Sequence, residues 1–335
     1  MKKILGSLAL FSIIAITGCN TASNIQNSPD QLQSYSSSNK SGFRVDADWY
    51  SSLSPDLQAY YAEAKGKTGS DLFDSLHTII SRNNKITGYQ DSKSFMYATL
   101  DNITISNKTG LLDAYSEAFI AGSGGNGDTY KEVGDDNKDG VSGDFINCEH
   151  TWPQSFFNKQ LPMVGDLNHL QSTLSVPNNR RSNFAFGTAT GNIVYTTSGG
   201  SKLSVNDKPG ATKTPIAKLK SLLGPVTLQS PPILNTNFDT VFEPGDQQKG
   251  RTARCMLYFY MRYFDQSIFQ TGVQKDAFWT SKVPLFVEWS EQKDVVNDVD
   301  RKRNDLVFKK QGNRNPFIDI PNLGSLIGIN VIQSK

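Results

Sequence analysis

The stretch Cys148-Glu149-His150-Thr151-Trp152-Pro153-Gln154-Ser155 places a carboxylate directly before a histidine. A second polar run follows, Asp166-Leu167-Asn168-His169-Leu170, and then Pro177-Asn178-Asn179-Arg180-Arg181-Ser182-Asn183-Phe184. The chain has only three histidines, and two of them fall in this window. A histidine can take a proton, a carboxylate and an amide oxygen can hold a hard cation, and arginines can hold phosphate. Together they point to metal-assisted hydrolysis of a phosphodiester. The spacing permits a compact site. Phe145 to Cys148 reads as a strand that delivers Glu149 and His150 at its end, and Pro153 interrupts pairing. Leu167 to Leu174 reads as a returning strand, and Pro177 suits the start of a helix carrying Asn178, Arg181 and Ser182 on adjacent turns. Asn178 alone reads equally well as a helix-end residue.

Composition sets the frame. The chain has 335 residues, 37% hydrophobic and 10% aromatic, enough to bury a substantial core. Charged residues make up 20% with a net charge of +2, so an anionic partner must meet local patches rather than a bulk positive field. Residues 1–19 read as an export signal: Lys2 and Lys3 precede an apolar run from Ile4 to Ile16, shorter than the ~20 residues that span a bilayer. Ile16-Thr17-Gly18-Cys19 resembles a bacterial lipobox, which would make Cys19 the lipid-bearing residue; an ordinary signal cut near Ala22 is the alternative. Residues 20–45, rich in Ser, Asn and Gln, read as a disordered tether. Residues 46–335 read as one domain. Cys148 and Cys255 are the remaining cysteines, left open between a disulfide and two buried thiols.

Further along, Leu72, Phe73, Leu76, Ile79 and Ile80 mark an amphipathic helix, in which His77 reads as a surface or core-edge residue. Asp135-Asp136-Asn137-Lys138-Asp139-Gly140 matches the start of a calcium loop, without the closing glutamate. Asp135, Asn137 and Asp139 are candidate Ca²⁺ ligands on that reading, and a polar turn is the alternative. Residues 187–212 hold short β-prone pieces such as Asn192 to Thr197, flanked by glycines, and suit a hairpin or a surface excursion. Thr252 to Asp265 reads as a buried helix whose Arg251, Arg254 and Arg262 gather on one arc, able to grip phosphates or to lie in a salt-bridged face. Val295 to Lys310 reads as a basic last helix stopped by Gly312.

The three polar motifs, in this order, resemble the signature of the bacterial endonuclease I family, within the His-Me finger nucleases. The resemblance extends to Gly66-Lys67-Thr68-Gly69, Phe242-Glu243-Pro244, Ala253-Arg254 and Gln311-Gly312-Asn313-Arg314-Asn315-Pro316-Phe317, so it covers roughly residues 46–330. It implies an α+β fold, mixed helices around a small ββα-metal core, and an exported nuclease with little base preference. Such an enzyme would cut DNA and RNA to 5′-phosphate ends. Carried over residue by residue, His150 is the general base, Glu149 and Asn178 are Mg²⁺ ligands, and Arg181 contacts the scissile phosphate. Asp166 and His169 support the site. Asn168 stands where many relatives carry another histidine. Arg180, Arg254 and Arg314 are expected to hold the nucleic-acid backbone.

The expectation is therefore a monomeric Mg²⁺-dependent endonuclease, with Mn²⁺ or Ca²⁺ as alternative ions, lipid-anchored at a membrane or cell surface or secreted. The competing readings are a catalytically silent surface lipoprotein that binds DNA or calcium, and a metalloprotease, for which no H-E-x-x-H is present.

Overall fold

In the computed structural model, which describes residues 48–82, 85–122, 130–132, 134, 143, 145–207 and 238–335, the chain enters through helix α1 (Pro55–Tyr60). Ser54 caps it by accepting from the Leu57 amide, and Pro55 sits in the first turn, where its missing N–H costs nothing. Helix α2 (Gly69–Ser81) buries the expected stripe of Leu72, Phe73, Leu76, Ile79 and Ile80. Each of those side chains contributes on the order of 1.5–3 kcal/mol by leaving water. Helix α3 (Tyr89–Phe95) follows, then an antiparallel sheet of β1 (Asn102–Ile105), β2 (Lys108–Leu112) and β3 (Phe119–Ala121).

Strands β4 (Ile146–His150) and β5 (Leu170–Leu174) pair antiparallel, with Glu149 opposite Gln171 and His150 opposite Leu170. Helix α4 (Ser175–Arg181) leaves β5 at once and packs on both strands. This is the anticipated strand–strand–helix unit. The returning strand starts at Leu170 rather than Leu167, because Asp166 to His169 forms a turn in which the Asp166 carboxylate accepts the Asn168 amide.

A second sheet runs β6-β9-β8-β7, from β6 (Ala185–Phe186), β7 (Asn192–Thr196), β8 (Lys202–Asp207) and β9 (Phe238–Glu243). The expected hairpin is its β7–β8 pair. Helix α5 (Lys249–Tyr263) is buried nearly end to end and supplies much of the larger hydrophobic core, with Trp152 stacked on Phe259 at 5.0 Å between ring centres. Phe156 and Phe157 lie in the same core, so they pack rather than offer a stacking platform for bases. Helices α6 (Lys275–Phe278) and α7 (Val283–Gln292) lead to α8 (Asp298–Gln311). Asn297 and Asp300 form a reciprocal capping box at its start, and Gly312, at φ 87°, ends it in the left-handed conformation that glycine adopts without strain. Short helices α9 (Pro316–Asp319), α10 (Leu323–Ile327) and α11 (Ile329–Ser334) close the chain. The architecture is α+β.

Helix α8 reaches back to the β5 side. Arg303 donates from Nη1 to the Leu167 carbonyl at 3.0 Å and from Nη2 to the Leu170 carbonyl at 2.8 Å, and its Nε meets Asp101 at 2.9 Å. Gln311 accepts the Leu167 amide at 2.9 Å and donates to Asp166 at 2.7 Å. Cys148 on β4 and Cys255 on α5 are both buried free thiols. The export signal with Cys19, the tether, and the calcium-loop residues Asp135, Asn137 and Asp139 lie outside the described residues.

Candidate active site

The paired strands of the β4–β5 unit place Glu149 and His150 at the end of β4, both buried. Successive side chains of a strand leave it on opposite sides. Glu149 accordingly meets Tyr115 and Arg181, while the His150 ring lies among Tyr89, Phe157 and His169.

His150 Nε2 is 3.0 Å from the Val164 carbonyl oxygen. A carbonyl only accepts, so Nε2 carries the hydrogen, and the neutral ring keeps its lone pair on Nδ1. Burial, reinforced by the neighbouring His169, pushes the imidazole pKa down to about 3. The ring is therefore a neutral base at any ordinary pH. His169 is held the same way: Nε2 donates to the Met163 carbonyl at 2.8 Å, and burial lowers its pKa to about 4. Its Nδ1 is enclosed without a partner among the described residues.

The Glu149 carboxyl is raised to about 7, chiefly by burial, against the opposing pull of Arg181 and Tyr115. Tyr115 donates to Oε1 at 2.8 Å, and Arg181 Nη1 lies 3.0 Å from the same oxygen. Among the described residues Oε2 receives no hydrogen bond. One turn before Arg181 on α4, the half-buried amide of Asn178 likewise has no hydrogen-bond partner among the described residues. A carboxylate oxygen and an amide oxygen left open suit a hard divalent cation such as Mg²⁺, whose charge would offset the burial that raises the Glu149 carboxyl. Glu149 and Asn178 are the residues that would hold it.

Asp166 is fully buried. Tyr258 and Tyr263 donate to its Oδ2 at 2.8 Å each, Arg262 at 2.6 Å, and Gln311 to Oδ1 at 2.7 Å. Burial pushes this carboxyl up, but Arg262 and His169, with the hydrogen bonds, outweigh it and hold it below the usual carboxylate range.

The model of the Endonuclease I family matches residues 68–219 and 230–322. The chain belongs to that family. It is 28% identical over 276 residues to an extracellular ribonuclease of Bacillus subtilis (strain 168), covering 79% of this chain and 77% of the relative. It is also 26% identical over 277 residues to an extracellular ribonuclease of Bacillus amyloliquefaciens, covering 80% and 77%. As a member of the Endonuclease I family it is a nuclease that hydrolyses phosphodiester bonds.

Within this nuclease the arginines fall differently from the sequence expectation. Arg181 does not present its guanidinium to a phosphate. It is 1% exposed, donates to the carbonyls of His150 (3.0 Å) and Thr151, pairs with Glu149, and lies over the Phe186 ring. Arg254, equally buried, pairs with Asp300 at 3.1 Å and donates to the Asp294 carbonyl at 2.8 Å. Arg314 is clasped by Asp319 at 2.6 Å and Asp305 at 2.7 Å. Neither of these two is placed to grip a nucleic-acid backbone. Arg251 and Arg262, on the same arc of α5, pair with Asp300 and Asp166. The arc is a salt-bridged face, answered by carboxylates from distant segments. Arg180 differs. It is half-buried over the Tyr195 ring at 5.4 Å and has no acidic partner among the described residues.

His77 proves a core-edge residue: Nδ1 meets the Met261 carbonyl at 2.8 Å, and Nε2 lies 3.6 Å from Asp265. Sequence reading missed Tyr115 as the partner of Glu149, and it missed Val164 and Met163 as the carbonyls that orient the two imidazoles. No local signal marks them, because Tyr115 stands 34 residues from Glu149 and the orienting groups are backbone.

Proposed function

We propose that this nuclease is an exported, Mg²⁺-dependent, sequence-tolerant endonuclease that cuts both DNA and RNA and leaves 5′-phosphate ends, with His150 as the general base. The observation that carries the reading is the His150 ring, neutral and tied through Nε2 to Val164, so that Nδ1 is the group able to accept a proton from water. Val164 keeps the ring from rotating, which holds Nδ1 in one direction. Glu149 and Asn178 hold the ion, and Arg181 fixes Glu149 and the β4 carbonyls in place. When bound, Mg²⁺ supplies positive charge against the negative charge that grows on the phosphate and its leaving oxygen. Arg180 offers the charge that meets the sugar-phosphate chain. Contacts of that kind carry no base information, which supports low sequence preference.

The relatives named as ribonucleases support RNA as a substrate, and their description as extracellular supports export. Lipid attachment at Cys19 would keep the exported enzyme at a membrane or cell surface. The test is a plasmid-nicking and RNA-cleavage assay on purified protein, with and without EDTA, followed by addition of Mg²⁺, Mn²⁺ or Ca²⁺. The expected result is cleavage of both substrates, abolished by EDTA and restored by Mg²⁺. Cleavage that persists undiminished in EDTA overturns the metal assignment.

A further inference from the structure

We infer that Tyr115 is the positioning residue for the metal-binding carboxylate: its phenol holds Glu149 by Oε1 and thereby aims Oε2 at the ion. The inference rests on the reading of Glu149 as a metal ligand and adds the residue that orients it.

Three observations carry it. The Tyr115 hydroxyl donates to Glu149 Oε1 at 2.8 Å, with both residues buried, so the bond faces no competition from water. Arg181 sits at 3.0 Å from that same oxygen. Both restraints therefore act on one side of the carboxylate, and the other oxygen is left for a ligand. Finally, the tyrosine is itself held from three directions. Asp113 accepts the Tyr115 amide at 3.3 Å and the Ser116 amide at 2.9 Å. The same Asp113 grips β5 through Thr173 Oγ1 at 2.6 Å and the Leu174 amide at 3.0 Å. The Tyr115 carbonyl accepts Thr197 Oγ1 at 2.6 Å and Ser201 Oγ at 2.8 Å, and its ring packs edge-on against Phe242 at 4.8 Å. Asp113 thus ties the tyrosine to the strand that leads into α4, which carries Asn178. A single clasp sets the phenol relative to both proposed ligands.

A carboxylate with two equivalent rotamers pays entropy when a cation fixes it, and a partner that fixes it beforehand removes that cost. Outer hydrogen bonds of this kind change metal affinity by about 10- to 100-fold when deleted. Tyr115→Phe removes one oxygen and keeps the ring against Phe242.

The experiment measures Mn²⁺ binding to the nucleic-acid-free protein, by calorimetry or by the electron-spin resonance signal of free Mn²⁺, for the parent, Tyr115→Phe and Glu149→Gln. Melting temperatures are read in EDTA. The expected result is an Mn²⁺ dissociation constant raised about 10-fold or more in Tyr115→Phe. Its melting temperature in EDTA should stay near that of the parent, and its cleavage rate should recover at saturating Mg²⁺. Equal Mn²⁺ affinity in Tyr115→Phe and parent, with Glu149→Gln weakened, overturns the role of Tyr115 alone. Equal affinity in Glu149→Gln and parent overturns the ligand reading and the inference with it. Should Tyr115→Phe fold poorly, Thr197→Val loosens the backbone under the tyrosine without touching the phenol. A smaller loss of affinity supports the clasp, and no change overturns it.

Discussion

Arg181 Nη1 stands 3.0 Å from Glu149 Oε1 and donates to the His150 carbonyl at 3.0 Å, so one buried guanidinium ties down the two adjacent residues proposed for metal binding and proton transfer. Its role is internal. Arg181→Met would break the buried pair with Glu149 and remove the bonds to the His150 and Thr151 carbonyls, a loss of about 3–5 kcal/mol, less whatever Glu149 recovers by taking up a proton. Urea unfolding of the metal-free protein checks it. A midpoint unchanged from the parent would return Arg181 to the list of phosphate contacts.

His150→Ala is expected to lower the cleavage rate by about 10²- to 10⁴-fold, the usual contribution of a positioned base, while DNA binding measured in Ca²⁺ or EDTA stays near parental. Parental cleavage in this variant would remove the base assignment.

Acid stability follows from the two buried imidazoles. Their folded pKa values, about 3 for His150 and about 4 for His169, lie below the ordinary value of 6.5. Below the unfolded pKa the unfolded chain takes up protons that the folded state refuses. The stabilisation is therefore complete above pH 6.5 and is lost as pH falls toward the folded values. Between pH 6.5 and about pH 5 the two imidazoles together outweigh Glu149, whose carboxyl, raised to about 7, acts in the opposite direction; measured stability should decline over that range, and His169→Phe should flatten the decline. A parent stability independent of pH over that range contradicts the burial of both rings.

Arg180 and Arg254 separate binding from folding. Arg180→Ala should weaken DNA binding for all sequences alike and reduce the salt slope of log K by about 1, with little change in stability. Arg254→Ala should leave the salt slope unchanged and destabilise the protein, because buried Asp300 loses one of its two arginine partners and the Asp294 carbonyl loses a donor. The opposite pattern would place Arg254, not Arg180, at the nucleic acid.

Asp166→Ala is expected to destabilise more than any surface change, since Arg262, Tyr258 and Tyr263 all direct donors at Asp166 and would lose that buried acceptor, Arg262 with it its carboxylate counter-charge. Differential scanning calorimetry reads it directly. A melting temperature within a degree or so of the parent would show that the cluster relaxes onto other partners.

The strand–strand–helix unit was legible because its signals are local. Glu149 and His150 are adjacent, Asn178 and Arg181 share a helix turn, and the capping chemistry at Asn297 and Gly312 is written within a few residues. The orientation of the arginines was not legible. A helical arc of Arg251, Arg254 and Arg262 looks like a surface for phosphate until Asp300, Asp294 and Asp166 arrive from other elements to cover it. The pairing of β9 with β6 and β8 was hidden for the same reason: pairing partners far apart in the chain leave no periodicity to read.

The reach of α8 bears on how far the enzyme can be shortened. Arg303 and Gln311 supply bonds to Leu167, Leu170 and Asp166 that frame the turn into β5, although neither is among the residues proposed for the chemistry. A fragment ending before Asp298 would hold every proposed catalytic residue and still lack the splint that sets their separation. A miniaturised version of this nuclease therefore has to keep its tail, or replace it with a graft that offers the same donors at the same carbonyls.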